Sequence, residues 1–248
     1  RRIVKRGNIK VDTPVFTKDG VLLVTSREGT VYMLKHWYQG RECDIRQEGE
    51  LLRAAGQLAR LHRELDAVSA EWTPAGPAGL LPGVRGPLEE IGRHNRELKK
   101  VRSFIRGRVA KNKFEYLYLE SFEKMYDMAE KVLERMERSG CEDLYKESMQ
   151  MGTVIHGDYN YHNLLMLKEG MAVTGFEHMR VDIQMRDLYY FMRKAMEKHH
   201  WKQKTGQMIL EAYEQERPVQ SRERNCLGLF LAYPEKFWKT AGNYYRSN

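Results

Sequence analysis

The stretch of sequence that decides the fold reads His156-Gly157-Asp158-Tyr159-Asn160-Tyr161-His162-Asn163. Asp158, the last residue of an H-x-D triplet, stands five positions before Asn163. A short apolar strand, Thr153-Val154-Ile155, is predicted directly before the segment, and two apolar runs around Lys168-Glu169-Gly170 predict a tight β-hairpin directly after it. This spacing between a strand and a hairpin predicts the catalytic loop of a phosphotransferase fold.

Phosphoryl transfer needs few protein groups. A carboxylate must orient the attacking hydroxyl and accept its proton, and oxygen ligands must hold Mg²⁺ against the phosphates. Asp158 is the candidate for the carboxylate, and Asn163 is the candidate for one metal ligand. Protein kinases take a further ligand from the Asp of a D-F-G triplet, so we expect that residue beside Asn163 in space.

The hairpin indicates where this further ligand belongs. If the turn centres on Glu169, paired positions sum to 338, and Asn163 faces position 175, which is a glycine. Glycine has no side-chain oxygen, so Gly175 cannot bind the metal. Glu177 and Asp182 follow closely in sequence and are the candidates for a substitute ligand. The loss of the carboxylate predicts a rate that is lower by about 10³-fold or more.

The rest of the chain divides by pattern. Up to about residue 43, β-rich runs separated by glycine turns predict antiparallel hairpins, with turns at Lys18-Asp19-Gly20 and Glu28-Gly29. Helices are predicted over about 45–65, 88–105 and 114–140, and helical patterning resumes at about Arg186. Residues 73–87 hold four of the seven prolines and predict a loop.

Charge and cysteine content limit the possible classes. The net charge is +8, and residues 93–113, from Arg93 to Lys113, hold nine Lys or Arg against one acid; we call this segment the basic stretch. It favours a solvated helix face or a docking patch for an anionic ligand, and its single aromatic residue, Phe104, does not favour nucleic acid. Three cysteines without a C-x-x-C pair predict no disulfide framework or zinc site and indicate synthesis in the cytoplasm. The sequence contains no run of 18 apolar residues, so no membrane span is predicted, and no secretory signal is evident.

The catalytic-loop segment extended to Leu165 resembles the aminoglycoside phosphotransferase and choline kinase superfamily, and within it the spore coat protein S family. Further segments that carry the resemblance are Trp37-Tyr38-Gln39-Gly40-Arg41-Glu42-Cys43, Leu58-Ala59-Arg60-Leu61-His62, Arg186-Asp187-Leu188-Tyr189-Tyr190-Phe191-Met192-Arg193-Lys194 and Pro234-Glu235-Lys236-Phe237-Trp238-Lys239. The last two point to the spore-coat branch. The resemblance covers nearly the whole chain.

The resemblance implies an α+β, protein-kinase-like bilobal fold. Residues 1–43 would be the remnant of a small, N-terminally incomplete β lobe with the hinge, and residues 44–248 a mostly helical lobe with the catalytic loop. The strands that carry the Gly-rich loop and the phosphate-binding Lys would precede Arg1. Lys35 lies at the expected hinge and does not correspond to that Lys.

The resemblance also implies roles for individual residues. Asp158 takes the position of the catalytic base, and Asn163 that of a metal ligand whose partner position is Gly175. His156 would orient the loop, and Asp187 would hydrogen-bond it. ATP and Mg²⁺ are the implied cofactors, and the residues implied at the hinge, whose backbone meets adenine, are His36, Trp37 and Tyr38.

Three functional hypotheses follow. The first is a spore-coat protein of kinase fold, made in the cytoplasm, whose phosphotransfer is weak or lost and which acts by binding other coat proteins or an anionic ligand through the basic stretch. The second is a working ATP- and Mg²⁺-dependent kinase for a hydroxyl of a small molecule or polymer. The third is a polyanion binder that uses the basic stretch. His62 and His156 are predicted to be structural, and His162 is a weaker candidate for substrate contact.

Overall fold

The computed structural model describes residues 9–70 and 84–246. The chain forms two compact units. The first comprises Arg1–Pro82 with Met151–Pro218, and the second Gly83–Gln150 with Val219–Asn248. The division predicted at residue 43 follows the expected lobes and not these two units, and it stays a prediction. Most of the predicted loop, residues 73–83, lies outside the described residues.

The described residues of the first unit contain ten short strands. They are β1 (Lys10–Val11), β2 (Thr13–Pro14), β3 (Val24–Thr25), β4 (Val31–Tyr32), β5 (Lys35–His36), β6 (Arg41–Glu42), β7 (Val154–Ile155), β8 (Leu164–Met166), β9 (Met171–Val173) and β10 (Arg180–Val181). One sheet has the order β1-β9-β8-β6, in which β1 runs parallel to β9 and the other neighbours are antiparallel. The remaining strands pair as β7 with β10, β2 with β5 and β3 with β4.

The predicted hairpins of the first 43 residues are confirmed in part. β3 and β4 pair across the turn at Gly29, as expected. The turn at Gly20 also forms, with its N–H donating to the Thr17 carbonyl at 3.0 Å. The residues around that turn do not continue into a strand ladder, however, because β2 pairs with β5 instead. Long-range pairing therefore decided the strand partners at this position.

The described helices of the first unit are α1 (Glu48–Ala70), α5 (Met185–Lys198) and α6 (Gln203–Glu214). The apolar face of α1 is buried, with Leu58 and Ala59 fully inaccessible to solvent. Phe191 of α5 and Tyr213 of α6 are buried to the same extent. This core supports the strands and turns that follow β7, where the predicted site has to be built.

The described part of the second unit contains five helices: α2 (Pro87–Gly107), α3 (Lys113–Glu137), α4 (Cys141–Met151, whose last residue belongs to the first unit), α7 (Ser221–Ala232) and α8 (Glu235–Arg246). The apolar stripe predicted for α3 is core, with Tyr118, Phe122 and Met136 nearly inaccessible. A capping box at Asn112 and Glu115 satisfies the first backbone N–H groups of α3. Pro234 separates α7 from α8.

Two composition-based predictions can be compared with the described residues. Cys43, Cys141 and Cys226 are all buried, and the described residues contain no disulfide among them. Among the helices in the described part of the chain, none is long and apolar enough to cross a membrane.

Candidate active site

The catalytic loop is fixed at its start by a buried carboxylate. The side chain of Asp187, in the first turn of α5, accepts hydrogen bonds from the backbone N–H groups of His156 at 2.7 Å and Gly157 at 2.9 Å. His62 of α1 approaches the same carboxylate at 3.3 Å through Nε2, and its Nδ1 lies 2.6 Å from the Tyr213 hydroxyl. Burial alone would raise the pKa of Asp187, but these donors outweigh it and hold the pKa below its ordinary value.

His156 is a neutral, structural histidine. Its Nδ1 accepts a hydrogen bond from the backbone N–H of Asp158 at 3.2 Å, so the ring proton is on Nε2, which donates to the Thr174 carbonyl at 2.9 Å. The ring is fully buried, and burial lowers the pKa of His156. The imidazole therefore connects the catalytic loop to the end of β9 by hydrogen bonds.

Gly157 is required by close packing of the backbone. Its φ of +82° lies in the left-handed region, and a Cβ atom placed on it would be 2.0 Å from the carbonyl oxygen of His178. A contact under 3.0 Å to a backbone atom leaves no room for a side chain. The middle position of the H-x-D triplet is thus restricted to glycine in this structure.

Asp158 and Asn163, the two predicted catalytic-loop residues, are brought together. The Asn163 amide Nδ2 donates to Asp158 Oδ2 at 2.9 Å and to the Asp158 carbonyl at 2.8 Å. The Asn160 amide donates to the other carboxylate oxygen, Oδ1, at 3.0 Å. Two amides therefore orient the carboxylate, which is how a base that must face a substrate hydroxyl would be held.

Tyr190 is a neighbour of Asp158 that sequence reasoning did not identify. The tyrosine, on α5 and half buried, hydrogen-bonds the Asp158 carboxylate; burial and then this carboxylate raise the pKa of its phenol. Arg193 and Lys194 each place a cationic group 5.6 Å from the Tyr190 ring centroid. The only sequence signal was the aromatic run of α5, which is equally typical of core packing.

The register of the β8–β9 hairpin differs by one from the prediction. Leu164 pairs with Val173 and Met166 with Met171, so paired positions sum to 337, and the Thr174 N–H donates to the Asn163 carbonyl at 2.9 Å. The expected sum of 338 was wrong, because the turn lies between residues 168 and 169 and not on Glu169. Gly175 is nevertheless adjacent to Asn163: a Cβ atom placed on Gly175 would be 2.7 Å from Asn163 Oδ1.

The ammonium group of a lysine, Lys35, lies close to Gly175. The Gly175 N–H donates to Asp12 Oδ2 at 3.3 Å, and Lys35 Nζ lies 3.0 Å from the same oxygen. Lys35 also forms an ion pair with Glu177. Partial burial lowers the pKa of Lys35, but the bonds to Glu177 and Asp12 outweigh it and raise the pKa above its ordinary value. An ammonium group is thus held one carboxylate away from the position at which kinases carry a metal-binding Asp.

The residues present do not fit a carboxylate-held Mg²⁺. Asn163 Oδ1 could serve as one neutral metal ligand. Both Asp158 carboxylate oxygens already accept amide hydrogen bonds, and the Glu177 carboxylate is paired with Lys35. Within residues 9–70 and 84–246, no group of three His, Cys, Asp or Glu could hold a metal ion. Asp182, the other predicted substitute, is buried and paired with Arg180 and Arg186.

The predicted hinge residues lie on and after β5. His36 pairs with Thr13, the Trp37 side chain is 71% exposed, and the Tyr38 hydroxyl donates to the Val11 carbonyl at 3.3 Å. Their contact with adenine stays a prediction. His162 lies on the surface and pairs with Glu42 at 2.9 Å.

Known structures resemble this chain over nearly its whole length. An aminoglycoside phosphotransferase from Alicyclobacillus acidocaldarius shares 18% identity at a TM-score of 0.82, with 99% of this chain and 71% of that chain covered. Spectinomycin phosphotransferase APH(9)-Ia, in complex with ADP and spectinomycin, shares 13% at 0.61, covering 97% and 68%. Choline kinase from Cryptosporidium parvum Iowa II shares 13% at 0.53, covering 99% and 74%. No curated protein matches the sequence significantly.

The chain has the α+β, kinase-like fold of these aminoglycoside phosphotransferases and this choline kinase. The resemblance read from the sequence is confirmed. Residues 93–248 match the family described as "Spore coat putative kinase YutH". The chain belongs to this spore coat family.

Proposed function

We propose that this chain is a spore-coat protein of kinase fold in which phosphotransfer is weak or lost and which acts mainly by binding. The observation that carries the proposal is the environment of Gly175. No carboxylate extends from this position, and the nearest ones, Asp12 and Glu177, are paired with Lys35. Mg²⁺ bound by protein groups takes one or two carboxylates in addition to phosphate oxygens, and none is uncommitted at this position.

A resident ammonium changes what the site can do with a nucleotide. Lys35 supplies positive charge beside Gly175 without a metal, and its side chain is 21% exposed. A lysine can attract phosphate oxygens as a point charge, but it cannot bridge β- and γ-phosphates and polarise them as a divalent ion does. Nucleotide binding without efficient transfer is therefore the behaviour that this arrangement favours.

One observation favours the second candidate, an active kinase. The catalytic loop itself is complete, since Asp158 is oriented by two amides and the loop is fixed through His156 and Asp187. Under this alternative the chain phosphorylates a hydroxyl of a small molecule or polymer, with ATP and Mg²⁺ as cofactors and Asp158 as base.

Turnover and binding measurements separate the two candidates. With wild type and Asp158→Asn, release and transfer of the γ-phosphate of radiolabelled ATP are measured, and melting temperatures are recorded with ATP, with Mg²⁺ and with both. We expect turnover below about 0.1 s⁻¹, which is 10³-fold under the upper range of kinases. We also expect any stabilisation by ATP to be largely independent of Mg²⁺. Turnover of about 1 s⁻¹ or more that disappears in Asp158→Asn would establish the active kinase instead.

Gly175→Asp tests the role of the missing ligand. The new side chain would meet the Asn163 amide at 2.7–3.0 Å, and this amide is already bonded to Asp158. Its carboxylate would also lie near the Lys35 ammonium. We expect a gain in turnover below about tenfold for the single substitution, against the 10³-fold that a fully restored ligand would give. A gain approaching 10³-fold would show that Asn163 and Lys35 adapt freely.

A further inference from the structure

The second unit contains a cavity of about 640 Å³ near one end of α2. Its walls come from the last two turns of α2, the segment that leads into α3, and the end of α8. The lining residues are Lys100, Val101, Phe104, Arg108, Asn112, Tyr244 and Tyr245. The volume is that of a small-molecule site, and the lining residues all belong to the second unit, whereas the catalytic loop belongs to the first.

The charge of the cavity is positive. Its lining contains Lys100 and Arg108 and no acidic side chain. Arg108 is balanced by the buried carboxylate of Glu115 at 3.2 Å, whereas the structure gives Lys100 no ion-pair partner among residues 9–70 and 84–246. The cavity therefore offers one uncompensated ammonium, next to a guanidinium held in a fixed position.

Three aromatic rings form the other part of the wall. Phe104 and Tyr245 meet edge to face with centroids 5.2 Å apart, and Tyr244 stacks on Phe114 at 4.1 Å. Phe104 is 55% exposed, so its ring is accessible to a ligand. The Tyr245 hydroxyl is bonded to Glu115 at 3.1 Å, so its ring is fixed in place.

We propose that this cavity binds a small aromatic anion, with its ring against Phe104 and the two tyrosines and its carboxylate or phosphate at Lys100 and Arg108. Aromatic walls give stacking energy and the cations give charge-assisted hydrogen bonds. Neither the kinase-like site nor the proposed weak phosphotransfer requires this cavity. Under this proposal, Lys100 and Arg108 of the basic stretch belong to a defined ligand site and not only to a diffuse charged surface.

The probe is 1-naphthyl phosphate, titrated into the full chain by isothermal calorimetry and followed by ligand-observed NMR. We expect a dissociation constant on the order of 0.1–1 mM, given the usual affinity per atom for a ligand of this size. Neutral 1-naphthol tests the need for charge, and inorganic phosphate tests the need for the ring. Both are expected to bind at least about tenfold more weakly.

Matched variants locate the site. Lys100→Gln and Phe104→Ala, both at exposed positions, are each expected to weaken binding about five- to tenfold. Arg106→Gln removes the same charge from the same helix outside the lining, and Tyr116→Ala removes an aromatic ring that is 61% exposed elsewhere in this unit. Both controls should bind as wild type does. Melting curves of all four variants check that the fold is retained.

The test separates this proposal from binding at the catalytic loop. Lys35→Gln, which removes the cation of the kinase-like site, should leave the affinity for 1-naphthyl phosphate unchanged, and loss of binding in that variant would move the probe to that site and overturn the proposal. Equal losses in Lys100→Gln and Arg106→Gln would reduce the effect to general charge attraction and would also overturn it. So would equal affinities for 1-naphthol and 1-naphthyl phosphate.

Discussion

At the scale of single residues, the buried Asp187 carboxylate holds the start of the catalytic loop in place. One buried carboxylate satisfies two backbone N–H groups of the catalytic loop and one histidine. Without these acceptors, buried donors would be left unpaired, which costs about 1–3 kcal/mol for each group. The position of Asp158 therefore depends on a residue that does not face the substrate.

Replacing Asp187 tests this dependence. We expect Asp187→Asn to lower the free energy of unfolding by about 2–4 kcal/mol in urea titrations. Asp19→Asn, at an exposed turn, should change it by less than about 0.5 kcal/mol. Because the folded pKa of Asp187 is lowered, its contribution is complete above the pKa of an unfolded aspartate, about 3.9, and is lost as the pH falls further. The difference between wild type and Asp187→Asn should therefore be constant from about pH 5 to 8 and shrink below about pH 4. A difference that grew on acidification would contradict the assignment.

Gly157 and Gly170 form a matched pair for measuring a steric clash. Both have φ near +80°, but a Cβ atom on Gly170 meets nothing within 4 Å, whereas one on Gly157 meets the His178 backbone. We expect Gly170→Ala to cost about 1 kcal/mol from the backbone conformation alone. Gly157→Ala should cost at least about 2 kcal/mol more, measured in the same urea titrations. Equal costs would show that the chain before β10 yields easily.

At the scale of elements, the packing of α2 against α8 is built around a buried histidine. The rings of His94 and Trp238 stack with centroids 3.4 Å apart, and Trp238 Nε1 donates to Glu97 at 2.7 Å. Burial lowers the pKa of His94 to about 4. The ring is therefore neutral in the folded protein at pH values where an unfolded histidine already carries a proton.

This helix packing should weaken on acidification. An unfolded histidine has a pKa of about 6.5, so the stabilising effect of a neutral His94 is complete above that value and is lost as the pH falls towards about 4. We expect Tm to fall between about pH 6.5 and 4 less steeply in His94→Gln than in wild type. The exposed His36→Gln should keep the wild-type slope. If His94→Gln also kept the wild-type slope of Tm against pH, the fall in Tm would have to be assigned to another buried histidine, such as His156.

Elements and local motifs could be predicted from the sequence, whereas contacts between distant segments could not. The helices, the hairpin after Asn163 and the catalytic loop follow from periodicity and turn residues over short spans. The bond from Gly175 to Asp12 joins positions 163 residues apart, and that from Lys35 to Glu177 joins positions 142 apart. No local pattern marks such partners. The one-residue error in hairpin register had a local cause, because Lys168-Glu169-Gly170 is compatible with two turn centres.

At the scale of the whole molecule, the excess positive charge is less available than the sequence suggests. Within the basic stretch, Arg93, Arg102 and Arg108 form ion pairs with acids of the same unit, and Lys99 lies 4.9 Å from the Tyr126 ring centroid. In the described part of the chain, six cations of this stretch have no ion-pair partner: Arg96, Lys99, Lys100, Arg106, Lys111 and Lys113.

The salt dependence of polyanion binding reports how many of these cations contact phosphates. With single-stranded DNA as the probe, each neutralised phosphate contributes about −0.7 to the slope of log K against log salt. The six cations without an ion-pair partner give a slope of about −4 between about 50 and 200 mM salt, measured by fluorescence anisotropy. A slope of about −6 would require all nine cations of the basic stretch to contact phosphates and would contradict the pairing seen in the structure.

The close approach of Asn163 to Gly175 also has a consequence for reversibility. A substitution that removes a metal-binding side chain can be undone in one step only while its former space stays open. Here the amide of Asn163 fills that space, and Lys35 already neutralises the neighbouring carboxylates. Under the proposed function, a path from this protein to a metal-dependent kinase needs at least two coordinated changes, one at Gly175 and one at Lys35 or Asn163. A change at Lys35 made first would leave the buried Asp12 carboxylate without its cation, and a change at Asn163 made first would leave Asp158 without one of its two amides.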